Sequence, residues 1–141
     1  MGRLFEFVGN HPWLLTALVV TVVALLMNES RRHLLGFKEV NPNEAVRLMN
    51  HEEAVVLDVR EDGEFKEGHV INARHIPVGV LESRCNELES LKEKPLIVYC
   101  RSGQRAAKAS SILQRQGFKF VYKLNGGIMA WTGANMPVSK G

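Results

Sequence analysis

From Phe7 to Asn28 the chain carries no Asp, Glu, Lys or Arg, and from Pro12 to Met27 it is almost unbroken Leu, Val, Ala, Thr and Trp. A surface helix would show a polar stripe at a period of about 3.6 residues, and Val19, Val20, Val22, Val23, Leu25 and Leu26 leave no room for one. At a rise of about 1.5 Å per residue the apolar core is about 24 Å long and the uncharged run about 33 Å, which brackets the hydrocarbon thickness of a bilayer. The roughly 100 residues that follow make too small a domain to swallow so apolar a helix at its extreme terminus. A cleaved secretory signal is disfavoured too, because the run leaves through Leu25-Leu26-Met27-Asn28-Glu29-Ser30 with no Ala-x-Ala pattern.

The layout expected is a short extracytoplasmic head at 1–11, a transmembrane helix at 12–28, a basic juxtamembrane linker at 29–36 and one folded domain at 37–141. Arg31, Arg32 and Lys38 follow the run, whereas Arg3 before it is balanced by Glu6, so the positive-inside bias puts the domain in the cytoplasm. Trp13 falls where an interfacial aromatic would sit at the outer end.

Apolar residues at 45% and charged residues at 23% suit a globular domain and exclude wholesale disorder. The net charge of +3 is small, and Lys and Arg are spread along the chain with acids among them, so no nucleic-acid partner is expected. The two cysteines, Cys85 and Cys100, lie in unlike settings, and His69 and His75 stand apart from any Cys pair at ligand spacing. Neither a disulfide framework nor a metal site is expected, no cofactor is implied, and two unpaired thiols suit a reducing compartment.

After the apolar run, short buried-type strands alternate with helical stretches. Strand candidates are Phe37 to Val40, Ala54 to Leu57 ending at Asp58, Arg74 to Ile76 stopped by Pro77, Pro95 to Tyr99, and Phe118 to Leu124. Asn41-Pro42-Asn43-Glu44 reads as a helix start, with the cap, Pro at the first helical position and an acid in the first turn; that helix runs to about Met49. Val80 to Leu91 has helical spacing through Leu81, Cys85, Leu88 and Leu91. Arg105 to Gln116 is helical with Gly117 as its stop, and Gly126-Gly127 precedes a short helix around Trp131. Little-alternating strands separated by helices describe a doubly wound α/β domain, a parallel five-stranded sheet flanked by helices. Ligands of such sheets bind outside the carboxyl ends of the strands, where Asp58 and Cys100 both fall.

Cys100-Arg101-Ser102-Gly103-Gln104-Arg105 links a buried strand to a helix. Such a loop turns successive backbone N–H groups inward, and the helix adds positive partial charge at its start. Arg101 and Arg105 add two cations, and Gly103 allows a positive φ. A cradle of this kind stabilises an anionic sulfur and would hold an anionic donor. A merely packed cysteine would not call for two arginines and a Ser-Gly turn. Cys85, at helical spacing with Leu81 and Leu88, is read as core packing.

These residues resemble the rhodanese family. The resemblance spans Asn41 to Trp131 through Asp58-Val59-Arg60, Phe65-x-x-Gly68-His69-Val70 leading to Ala73-x-x-Ile76-Pro77, the Cys100 loop, and Gly126-Gly127 followed by Trp131. It implies a sulfurtransferase in which Cys100 takes sulfane sulfur from a donor such as thiosulfate, carries it as a persulfide and passes it to a thiophilic acceptor. Arg101, Ser102, Gly103, Gln104 and Arg105 would bind the small anionic donor, and the acceptor would be a thiol or a protein. One anchor followed by one such module is also similar to bacterial inner-membrane members of the family. Asn72 stands where many members carry Gly, and Asn tolerates the left-handed backbone nearly as well. Asp58 and Arg60 are read as a structural ion pair and loop anchor, His69 as a packed turn residue, and His75 as a lesser candidate for touching substrate.

Two rivals stand beside this reading. A cysteine phosphatase or arsenate reductase also pairs a thiolate with an arginine, but the related sheets place one more residue between them than the four found here. A membrane-tethered docking module with little turnover would often lack the cysteine that this chain retains.

Overall fold

The computed structural model describes residues 1–35 and 37–141, without the side chains of 31–35. It forms two compact units, Met1–Leu35 and Gly36–Gly141. In the first, α1 (Gly2–Asn10) is followed by a break at His11 and then by α2 (Pro12–Leu35). The stretch Pro12–Ser30 is long and apolar enough to cross a membrane by length and composition, and none of it is buried. The hydroxyls of Thr16 and Thr21 donate to the carbonyls of Pro12 and Ala17, at 2.9 and 2.8 Å, so these two hydroxyls in the apolar run are satisfied within the helix. The expected linker continues α2 as far as Leu35. The side chains of Arg31 and Arg32, on which the expected orientation rests, and Gly36 lie outside the described residues.

The second unit runs β1 (Lys38–Val40), α3 (Pro42–His51), β2 (Val55–Asp58), α4 (Asp62–Glu67), β3 (His69–Val70), β4 (Arg74–His75), α5 (Val78–Arg84), a 3-10 helix (Cys85–Leu91), β5 (Leu96–Tyr99), α6 (Gln104–Arg115), β6 (Val121–Leu124), α7 (Gly127–Gly133) and β7 (Val138–Ser139). Five strands form one sheet in the order β1-β6-β5-β2-β4, every pairing parallel. β3 and β7 form a separate antiparallel pair. Central strands buried on both faces must be apolar at every position, and β5 is Leu96-Ile97-Val98-Tyr99, all buried. Its alternate residues feed two cores. Leu96 and Val98 pack with Leu57, Leu81, Leu88, Ala109 and Leu113 under α5 and α6, whereas Ile97 and Tyr99 pack with Val56, Leu124, Ala45, Ile128 and Trp131 under α3 and α7. That is the doubly wound α/β domain expected.

Three local features differ from the sequence expectation. The helix expected from Val80 to Leu91 is two pieces, because Leu81 and Cys85 are spaced for an α-helix but Cys85, Leu88 and Leu91 recur every third residue. A 3-10 turn therefore keeps all three on the core side, each buried. α4 was not foreseen; its polar Asp62-Gly63-Glu64 start is organised by a capping box in which the Glu61 side chain and the first-turn backbone, and the Glu64 side chain and the Glu61 N–H, bond reciprocally. The β3–β7 pair is too short to show a period. Asn41 caps α3, its carboxamide oxygen accepting the Glu44 N–H at 2.8 Å. Asn72 takes φ +63.

Candidate active site

β5 ends at Tyr99 and delivers Cys100 to the carboxyl rim of the sheet, where the loop 101–103 turns into α6. Asp58 is in register with Tyr99 across the β2–β5 ladder, so both expected rim positions come from neighbouring strands. The Cys100 side chain is 1% exposed. Its Sγ accepts the Gly103 N–H at 3.0 Å and the Ala106 N–H at 3.4 Å. Gly103 reaches this position at φ +135, a backbone conformation that side-chain-bearing residues rarely adopt, and a β-carbon there would meet the stem of Lys123, 3.2 Å from Cε. The Lys123 ammonium lies 3.4 Å from Glu39.

A loop whose N–H groups converge inward sends its carbonyls outward, and those need donors of their own. α7 supplies them: Ile128 N–H donates to the Cys100 carbonyl at 2.9 Å and Met129 N–H to that of Arg101 at 3.3 Å. Such an approach is open only to glycine at position 127, where a β-carbon would overlap the carbonyls of both Cys100 and Arg101 and where φ is +57. Gly127 thus serves the cysteine loop directly, and Trp131 anchors the helix behind it, buried and donating from Nε1 to the Pro137 carbonyl at 2.9 Å.

The residues of the loop do not all face the sulfur on equal terms. Arg101, Ser102 and Gln104 are exposed on the rim. Arg105, expected as a second cation beside the sulfur, is held in a two-pronged ion pair with Glu64, Nη1 to Oε1 at 2.6 Å and Nη2 to Oε2 at 2.9 Å. The hydrogen bonds from Arg105 pull the Glu64 carboxyl down to about 2, against an opposing effect of burial. The pair ties α4 to the start of α6. Glu64 was not singled out in the sequence; its signal was the Glu61-x-x-Glu64 spacing of the capping box.

Asp58 and Arg60 form a buried ion pair, 0% and 5% exposed. The carboxylate accepts from Arg60 Nε at 3.0 Å, from Nη2 at 2.7 Å and from the Arg60 backbone N–H at 2.9 Å. Arg60 Nη2 donates further to the Gly68 carbonyl at 2.7 Å, and the guanidinium sits 5.6 Å from the centroid of the Tyr99 ring. Burial, reinforced by Asp58, pushes the Tyr99 phenol up, and its oxygen accepts the Val70 N–H at 3.1 Å. Tyr99 is thus a further residue that sequence reasoning passed over; its tyrosine hydroxyl at the end of an otherwise aliphatic strand was the available signal.

His69 and His75 stack on opposite sides of Phe65, at ring separations of 3.8 and 4.4 Å. His69 Nδ1 is 3.0 Å from the Phe65 carbonyl, and His75 Nε2 is 2.7 Å from that of Arg60. Both imidazoles are committed to holding α4. A groove of about 210 Å³ opens between α4 and α7, with Arg60, Glu64, Ile128 and Thr132 in its lining. Cys85 is buried in the core under α5 and α6, where burial pushes its thiol up.

Residues 41–134 match the family model described as Rhodanese-like domain. YibN of Escherichia coli K12 is 34% identical over 142 residues, covering 100% of this chain and 99% of that protein. The thiosulfate sulfurtransferase GlpE of Coxiella burnetii is 35% identical over 103 residues, 73% of this chain and 94% of the other. Among solved structures, a rhodanese-related protein from Thermoplasma volcanium superposes with a TM-score of 0.66 at 29% identity, covering 73% of this chain and 98% of that one.

Proposed function

The chain belongs to the rhodanese-like family, and on that premise we propose that it is a membrane-anchored thiosulfate-type sulfurtransferase with Cys100 as its nucleophile. The observation that carries the reading is the pair of backbone N–H groups directed at Cys100 Sγ from a loop whose outward carbonyls are taken up by α7. Fixed dipoles of this kind stabilise negative charge on sulfur without reorganising during the reaction.

In the first half-reaction the Cys100 thiolate attacks the sulfane sulfur of thiosulfate. The sulfur–sulfur bond of the donor breaks, sulfite leaves with the electron pair, and Cys100 carries a persulfide whose outer sulfur is anionic. In the second, a thiophilic acceptor such as cyanide or a thiolate attacks that outer sulfur, and the Cys100 thiolate is released. Arg101, Ser102 and Gln104 on the rim would meet the incoming anion, and Gly103 supplies an N–H to the sulfur. Arg105, paired with Glu64, contributes as a clamped cation at the start of α6. Asp58 and Arg60 support the loop from beneath through Tyr99, the residue before Cys100. The small exposure of the sulfur favours a compact donor.

The anchor reading rests on Pro12–Ser30, and the charges flanking that helix favour the domain on the cytoplasmic side of a bacterial inner membrane. The test is thiocyanate formation from thiosulfate and cyanide by the full chain in isolated membranes, beside hydrolysis of p-nitrophenyl phosphate. Thiocyanate production abolished by Cys100→Ser supports the reading. Phosphate release lost in the same variant, with no thiocyanate, would replace it with phosphatase chemistry.

A further inference from the structure

α1 (Gly2–Asn10) has no buried residue, yet one side of it is strongly apolar. Leu4, Phe5, Phe7 and Val8 are 63, 73, 54 and 37% exposed. Successive residues turn by about 100° on a helix, so these four fall within one arc of roughly 160°, while Gly2, Arg3, Glu6, Gly9 and Asn10 fill the other side. A helix this short is marginal in water on its own. Four large apolar side chains on one face add a further demand for an apolar phase that no residue of the described chain supplies.

The nearest such phase is one residue away. α2 begins at Pro12, so if it crosses the bilayer, α1 starts from the level of the headgroups. Nor is α1 simply the upper end of α2. His11 between them is non-helical, with φ −132 and ψ 61; its N–H still closes α1 on the Phe7 carbonyl at 3.1 Å. Pro12 has no N–H with which to carry the hydrogen-bond ladder across the break. The Phe7 ring packs at 4.9 Å against the His11 ring, placing an aromatic of the apolar face at the junction itself. Trp13, 66% exposed, stands at the same level. Arg3 and Glu6 sit together on the polar side and leave it nearly neutral, so the fit is to a zwitterionic or mixed lipid surface held by apolar area rather than by charge.

We propose that α1 is an interfacial helix that lies in the headgroup–acyl boundary of the extracytoplasmic leaflet, with Leu4, Phe5, Phe7 and Val8 immersed and Arg3, Glu6 and Asn10 toward water. The proposal rests on the reading of α2 as a bilayer span. It gives the chain a two-part anchor, one helix across the membrane and one along its surface, with the break at His11 and Pro12 as the elbow.

The test uses the full chain reconstituted in vesicles of phosphatidylethanolamine and phosphatidylglycerol, in a Trp13→Phe background where buried Trp131 supplies a constant emission. Single tryptophans are placed by Phe5→Trp, Glu6→Trp and Leu18→Trp, and quenching is compared between lipids brominated near the headgroup end of the acyl chain and lipids brominated near its middle. Phe5→Trp is expected to be blue-shifted and quenched at least about twofold more by the shallow bromine. Glu6→Trp should instead be red-shifted and quenched by aqueous acrylamide. Leu18→Trp should be quenched most by the deep bromine. Equal acrylamide quenching at positions 5 and 6, with deep quenching retained at position 18, would overturn the interfacial helix and leave the span standing. A blue-shifted Phe5→Trp that escapes both bromines and depends on protein concentration would overturn it in favour of a second copy covering the face. A Leu18→Trp that escapes both bromines would remove the span and the interfacial helix together.

Discussion

Replacing Asp58 with Asn removes one negative charge and almost no volume from a buried ion pair whose arginine borders the groove between α4 and α7. The carboxylate accepts the Arg60 backbone N–H at 2.9 Å, Nε at 3.0 Å and Nη2 at 2.7 Å, and the two residues are 0% and 5% exposed. An Asn there keeps one acceptor and turns an N–H₂ toward a guanidinium that is already a donor. Arg60 is left as a buried cation that keeps a neutral amide oxygen and the Gly68 carbonyl at 2.7 Å but loses its opposing charge and the Oδ2 contact of Nη2. Breaking one side of such a buried pair costs about 3–5 kcal/mol, a large share of the roughly 5–15 kcal/mol by which small domains are stable. At about 4–8 °C per kcal/mol, the lower figure already corresponds to a fall in Tm of roughly 12–24 °C. Urea unfolding followed by Trp131 emission in the Trp13→Phe background measures the loss directly. The double variant Asp58→Asn with Arg60→Met removes the stranded charge and should recover at least about 1 kcal/mol of it. A single variant that loses less than about 1 kcal/mol, or a double variant less stable than the single, would refute the view that this pair is a buried fixture under the cysteine loop.

Glu64 carries a pH signature, because Arg105 holds its carboxyl at about 2 rather than near 4.5. Its contribution is therefore full above about pH 4.5 and lost as the pH falls toward 2; with both partners about one-third exposed, screening reduces it to about 1 kcal/mol. The difference in urea midpoint between the parent and Glu64→Gln should be present at pH 7 and vanish near pH 2. Gly127→Ala should cost at least about 2 kcal/mol and lower thiocyanate formation more than tenfold, since a β-carbon there overlaps the carbonyls that hold the loop in shape. Ser110 is buried in α6 and its hydroxyl has no partner among the described residues, so Ser110→Ala should leave stability unchanged or raise it by up to about 2 kcal/mol in the same unfolding assay.

The sheet was legible in the sequence because it depends on signals of short range. Apolar runs such as Leu96-Ile97-Val98-Tyr99, helix starts such as Asn41-Pro42, and stops such as Gly117 each act within a few residues. Cys100 was legible for the same reason, since a strand, a Ser-Gly turn and a helix start are contiguous around it. What escaped depends on residues far apart in the chain. Glu64 reaches Arg105 across 41 positions, Tyr99 meets Val70 across 29, and Gly127 bears on the carbonyls of Cys100 and Arg101 from another helix. Arg105 could thus be recognised as a loop cation but not as one already paired. The Val80 to Leu91 stretch shows a different limit. Its spacing changes from four residues to three at Cys85, and because both spacings are helical the pattern alone does not separate the α-helix from the 3-10 turn.

The proposed chemistry turns on one sulfur atom, Cys100 Sγ. The full chain, exposed to thiosulfate in the absence of an acceptor and examined by intact-mass spectrometry, should gain the mass of a single sulfur. That adduct should be removed by cyanide or a thiol reductant, and it should be absent in Cys100→Ser while present in Cys85→Ser. A chain that gains no sulfur from thiosulfate or from other sulfane donors, or that gains it equally in Cys100→Ser, would contradict the assignment of Cys100 as a persulfide carrier.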